Sequence, residues 1–232
     1  RLYLGAADRA RNVAEPERCA ELYERGLSLL PPQEVATRLH VLHGLGDALA
    51  RTGSFDGALR RFREMLRCAW LLGERAKGGA AYNRIGRIHR HLGRYDAAMA
   101  ALSDGHTLFL EARDWRGVSA SLDDIGQVHR LRGEFEQAVY HFQEALQLRR
   151  EIGDPRAIAL SLYNLGELQR DAGRFREAEV NLEEGLRLIR QTSDRVGISA
   201  LLSALGTLVH EKGEGDRAKN LWDEALTFAR ED

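Results

Sequence analysis

Arg84, Arg87, Arg90 and His91 follow one another at spacings that share one face of an α-helix. Convergent guanidiniums hold carboxylates or phosphates through paired N–H donors, so the chemistry on offer is capture of an anion. A second cluster is His40, His43 and Asp47, two imidazoles at i, i+3 with a carboxylate four residues on. That set could begin a divalent-metal site, but no fourth ligand lies on a nearby element, and no metal is assigned. No Ser-His-Asp order and no phosphate loop is present. The Gly78-Gly79 pair lacks the Lys and Ser/Thr that phosphate binding requires. Cys19 and Cys68 have no metal-ligand or CxxC spacing. No catalytic residue and no cofactor is assigned, and the chain is not expected to be an enzyme.

These side chains need elements to hold them, and a repeat supplies the elements. Gly46, Gly86, Gly126, Gly166 and Gly206 recur every 40 residues, as do Gly53, Gly93, Gly133, Gly173 and Gly213. Leu45, Ile85, Ile125, Leu165 and Leu205 keep the same register. So do Phe55, Tyr95, Phe135 and Phe175, then Ala58 through Ala218, then Phe62, Leu102, Phe142, Leu182 and Trp222. Each unit reads as two amphipathic helices. In the fourth, Asp154 caps a helix A with Pro155 at its first position. Gly173 ends that helix at φ > 0, and Phe175, Ala178, Leu182 and Leu186 form one face of a helix B. One such pair cannot bury both its faces, so the pairs must stack.

Composition agrees with a folded protein and narrows its partners. Hydrophobic residues make up 44% and charged residues 30% of the 232, which excludes wholesale disorder. With 34 basic against 35 acidic residues there is no basic excess for nucleic acid or a membrane surface. No apolar run reaches the roughly 18 residues of a membrane span. The cytoplasm is the expected compartment, and Arg1 in place of Met suggests a fragment of a longer chain.

The run Leu162-Tyr163-Asn164-Leu165-Gly166, with Gly173, Phe175, Ala178, Leu182, Gly185 and Leu186, resembles the tetratricopeptide repeat (TPR). The 40-residue period is similar to the longer variety of the polarity scaffolds Pins and LGN, and to arrays on bacterial kinases and regulatory ATPases. The resemblance implies an all-α fold, an α-α superhelix or TPR solenoid. It covers five full repeats, 33–72, 73–112, 113–152, 153–192 and 193–232, after a degenerate one over 1–32, all within a single array. Cys19 to Leu29 matches a helix B, and Leu2 to Asn12 would be its helix A. At the other end Gly213-Glu214-Gly215 breaks the aromatic column, so the fifth repeat is expected to be looser. Leu221, Trp222, Leu226 and Phe228 are expected to leave apolar surface exposed.

The resemblance also implies that helix A lines a concave groove for a peptide or partner segment. Carried along the repeat, the groove positions are Asn83, Arg84, Arg87, Arg90 and His91, then Asp123, Asp124, Gln127 and Arg130, then Tyr163, Asn164, Glu167 and Arg170. His43, Asp47 and Arg51 are their counterparts in the first full repeat. Two readings of the arginines stay open: contact with an acidic segment, or ion pairs with Asp47, Asp123, Asp124 and Glu167 on adjacent helices. His43 and Asp47 replace the cation and amide of the chaperone-binding clamp, so chaperone tails are not expected. The function expected is protein–protein interaction within a larger bacterial signalling or regulatory protein. The alternative is self-association through the last helix without a groove ligand.

Overall fold

The computed structural model describes residues 3, 5–7 and 15–229, and the regular elements among them are all α-helices. They are α1 (Pro16–Ser28), α2 (Val35–Arg51), α3 (Phe55–Leu72), α4 (Arg75–His91), α5 (Tyr95–Glu111) and α6 (Trp115–Leu131). There follow α7 (Phe135–Ile152), α8 (Pro155–Asp171), α9 (Phe175–Ile189), α10 (Arg195–Glu211) and α11 (Gly215–Ala229). Even-numbered members are the A helices and odd-numbered ones the B helices of the repeat. Of the proposed first A helix, Leu2 to Asn12, residues 3 and 5–7 are helical and the rest lies outside the described residues.

The turns form for local reasons. After α2, Gly53 adopts φ +79°, its N–H bonds to Ala50 O at 3.2 Å, and Ser54 N–H bonds to Leu49 O at 2.9 Å. This is the Schellman closure, in which a left-handed residue lets the last carbonyls of a helix find donors. Gly93, Gly133, Gly173 and Gly213 close α4, α6, α8 and α10 in the same way. Helix starts are anchored by Asp154, whose side chain accepts from Arg156 N and Ala157 N, and by Asp194, which accepts from Gly197 N at 2.9 Å.

The chain divides into two compact units, Arg1–Asp124 and Ile125–Asp232, with the boundary inside α6. In the first, α2 pairs with α3 and α4 with α5, while α1 covers α2 and α3 covers α4. Its core joins Tyr23, Leu42, Leu45, Phe62, Met65, Ile85 and Ile88. In the second, α8 pairs with α9 and α10 with α11, α7 lies on α8, and α9 lies on α10. Phe142, Leu162, Leu165 and Leu168 form one cluster there, and Leu182, Leu202, Leu205 and Leu208 another. Each unit is therefore a stack of helix pairs, the solenoid architecture, with A helices contacting the next A helix (α2 with α4, α8 with α10). Among the described residues no helix is long and apolar enough to cross a membrane.

The last pair is tied down by charge. Glu179 of α9 accepts from Lys212 Nζ at 2.7 Å and Arg217 Nη1 at 2.6 Å, while Arg217 also reaches Glu183 and Glu214. On α11 Leu226 is 46% exposed, and Leu221, Trp222 and Phe228 are half-buried. Trp222 packs on Gly206, and Arg195 lies over the Phe228 ring.

Candidate functional site

The chemistry-bearing residues of the first unit sit on α2, α4 and the first part of α6. Helical spacing brings Arg84, Arg87 and Arg90 of α4 between Asp47 of α2 and Asp124 of α6. Arg84 Nε lies 2.8 Å from Asp47 Oδ1, and its Nη2 donates to Oδ2 at 3.2 Å. Arg87 Nε donates to Asp124 Oδ2 at 2.7 Å, and Arg90 Nη1 donates to the other oxygen at 3.3 Å. Asp124 is buried, so one desolvated carboxylate holds two guanidiniums. Burial pulls the Arg90 guanidinium below its ordinary pKa, against the pull of Asp124 and with the push of Arg87.

Asn83 and Asp123, placed in the groove by the repeat register, are buried. Asn83 Oδ1 rests against Gly105, where a Cβ would lie 2.6 Å away, so the amide is spent on close approach of α4 and α5. Asp47, the third member of the histidine cluster, has both oxygens engaged by Arg84, and His43 Nε2 stands 3.4 Å from it. Burial lowers the His43 pKa by more than Asp47 raises it. Among the described residues no group of three or more His, Cys, Asp or Glu is arranged to hold a metal ion.

Beside these pairs is a cavity of about 450 Å³. Phe55, Phe62 and Ile88 give it an apolar lining, and Arg51, Arg84, Arg87, His91 and Asp47 bring polar groups to it. His91 is exposed, its ring 4.8 Å from that of Phe55 and tilted by 47°. Arg51 is exposed and, among the described residues, joins no ion pair. The sequence reading missed this floor because Phe55, Phe62 and Ile88 fall in repeat columns that read as core. The available signal was Arg51, a cation standing four residues before an aromatic.

In the second unit Gln127 donates Nε2 to Asn164 Oδ1 at 3.0 Å, which turns both amides on each other. Arg130 donates Nε to Asp171 at 2.9 Å, and Arg170 donates Nη1 to Glu167 at 2.6 Å and Nη2 to Asp171 at 3.1 Å. Asn164 and Glu167 are buried and Tyr163 is half-buried. Burial raises the Glu167 pKa despite Arg170 and Arg130, and raises that of Tyr163 with help from Glu167. A cavity of about 500 Å³ opens between α8 and α10 over Leu160, Tyr163 and Leu201. Another of about 590 Å³ lies between α7 and α9, lined by Gln143, Gln147 and Asn181. His129 bonds Nδ1 to Glu134 at 2.5 Å and stacks on His141.

Glycines at the repeat columns, Schellman turns and A-to-A ion pairs describe a helical repeat, and comparison with known families names it. The model of the MalT-like TPR region matches residues 109–231, and the tetratricopeptide-repeat model matches residues 79–104. The chain belongs to the tetratricopeptide-repeat family. No curated protein matches this TPR chain by sequence. Among solved structures, BtubC (BKLC) from P. vanneervenii superposes with a TM-score of 0.73 at 21% identity, over 94% of this chain and 90% of that one. Rap protein complexed with competence and sporulation factor gives 0.78 at 14%, over 94% of this chain and 60% of Rap. NprR in complex with its cognate peptide NprX gives 0.74 at 15%, over all of this chain and 67% of NprR. At these identities the likeness is one of TPR fold.

Proposed function

We propose that this TPR chain is a protein-interaction module whose A-helix surface binds a peptide or partner segment carrying acidic residues. The observation that carries the reading is Arg51, an exposed guanidinium in no ion pair among the described residues, beside an open cavity on the A-helix side of the first unit. Arg87 adds to it, since its side chain is 41% exposed and its guanidinium gives only Nε to Asp124. The likeness to Rap and to NprR, each solved with a bound factor or peptide, supports a peptide as the ligand and a bacterial regulatory protein as the setting. In the first unit His91 is proposed to add a hydrogen bond, and in the second unit Gln127, Tyr163 and Asn164 are proposed to offer hydrogen bonds on that unit's own A-helix surface. Asp123 and Asp124 with the paired Arg84 and Arg90 are proposed to set polarity in the first unit, and Glu167 with the paired Arg130 and Arg170 in the second. No catalytic step is assigned.

Fluorescence anisotropy against acidic, neutral and basic peptide sets tests this. Acidic peptides are expected to bind, with affinity falling as salt rises. Equal affinity for all three sets, or affinity indifferent to salt, overturns the reading.

A second reading rests on α11, where Leu226 is exposed beside half-buried Leu221 and Trp222. This face is proposed to mediate self-association. Sedimentation is then expected to show dimers that Leu226→Glu abolishes, and a monomer at all concentrations removes the idea.

A further inference from the structure

The ion pairs change which residues of the first unit remain available for a partner. Arg84, Arg87 and Arg90 are joined to Asp47 and Asp124 at 2.7–3.3 Å, so the fold itself engages all three and leaves part of Arg87 facing outward. Asp47 and Asp124 balance two of the four guanidiniums that include Arg51. Buried Asp123 brings at most one more negative charge, and the surface stays positive. Arg51 carries that surplus at the exposed rim.

We propose that the cavity between α2 and α4 takes one aromatic or large apolar side chain of a partner whose neighbouring residue is Asp or Glu. The side chain lies on Phe55 and Ala50, with Phe62 and Ile88 buried behind them, and the carboxylate takes the paired N–H donors of Arg51. The inference rests on the peptide-binding reading above and specifies its anchor. At about 450 Å³ the cavity falls within the roughly 300–1,000 Å³ range of ligand sites, enough for a ring and its flanking group. Its floor is rigid, because Phe62 and Ile88 are buried in the core and Phe55 is steadied by the His91 ring. A planar guanidinium beside an apolar floor recognises a carboxylate and an adjacent ring together.

The repeat register makes the site particular to this position. The residues equivalent to Arg51 in the later repeats are His91, Leu131, Asp171 and Glu211. An imidazole, an alkyl group or a carboxylate there cannot offer a fork to an acid, and Asp171 and Glu211 repel one. A segment with an aromatic next to an acid is thus directed to the first full repeat.

The test uses the whole chain and dye-labelled octapeptides in a Gly-Ser background, with a central Phe-Glu pair, Phe-Gln or Ala-Glu. The Phe-Glu peptide is expected to bind about tenfold more tightly than either control. Arg51→Gln is expected to remove the preference for Glu over Gln, Arg51→Lys to restore part of it, and Ala50→Trp, which fills the cavity, to remove the preference for Phe over Ala. Circular dichroism establishes that each variant is folded, and Phe55→Ala replaces Ala50→Trp should the latter unfold. Equal affinity for the three peptides overturns the proposal. Salt-sensitive binding of acidic peptides that ignores every one of these variants overturns the cavity and leaves the peptide-binding reading standing. No binding by any acidic peptide overturns both.

Discussion

The ring of Phe62 lies on the backbone of Gly46, so close that a methyl group at position 46 would stand 2.5 Å from Cε1. The same contact joins Gly86 to Leu102, Gly126 to Phe142, Gly166 to Leu182 and Gly206 to Trp222. Two columns of the repeat, one glycine and one bulky, are two sides of a single helix–helix contact. Phe62 is fully buried and cannot swing aside cheaply.

Gly46→Ala is therefore expected to destabilise the first unit by about 1–3 kcal/mol, the usual cost of overpacking a filled core. Urea unfolding of the variant alone and combined with Phe62→Ala measures it. The penalty of the alanine should shrink in the double variant, because the group it strikes is gone.

Arg113 stands at φ +54° where Gly73 and Gly153 occupy the equivalent turns. It makes the same closure, with Arg113 N–H on Leu110 O and Asp114 N–H on Phe109 O, at a steric cost glycine does not bear. Arg113→Gly is expected to stabilise the chain by about 0.5–1 kcal/mol, read as a rise in Tm.

Asp124 binds two guanidiniums from a buried position, so Asp124→Asn strands both. A loss of about 1–3 kcal/mol is expected, below the full cost of breaking a buried pair because Arg87 can turn to water. Arg87→Gln, at the exposed end of the pair, is expected to cost under about 1 kcal/mol. Denaturant midpoints of the two variants order them.

Two carboxylates of the second unit have opposite pH signatures. Hydrogen bonds from Lys212 and Arg217 hold Glu179 below its ordinary pKa of 4.5. Its contribution to stability is present above that value and lost as pH falls through the lowered one. Burial holds Glu167 above 4.5, so its contribution is present below 4.5 and lost as pH rises through the raised value. Glu179→Gln should flatten the acid side of the Tm-against-pH profile, and Glu167→Gln should remove a decline on its higher-pH side.

How much of this was legible follows from how far each feature reaches along the chain. The 40-residue columns, the Asp154–Pro155 start of α8 and the glycine stop at 173 are written in consecutive residues. A helix cap or a left-handed turn is satisfied within one turn of backbone, whatever packs against it. The helix pairs, their order and the family followed from that pattern.

The pairing of polar groups belonged to the tertiary structure. Arg84 could reach back to Asp47, on to Asp124, or out to solvent, and periodicity placed it on a face without choosing among them. The distance and rotation between A helices chose, and they also turned Gln127 onto Asn164, while the close approach of α4 and α5 set Asn83 against Gly105. Arg51 has the same charge as Arg84 and lines the same cavity, yet from the last turn of its helix it meets no carboxylate, while Arg84 is held by Asp47. Local sequence determines what a segment of backbone can do by itself. Which side chains meet across 34 or 37 residues is decided when helices pack, because a contact between two helices is a property of neither one alone.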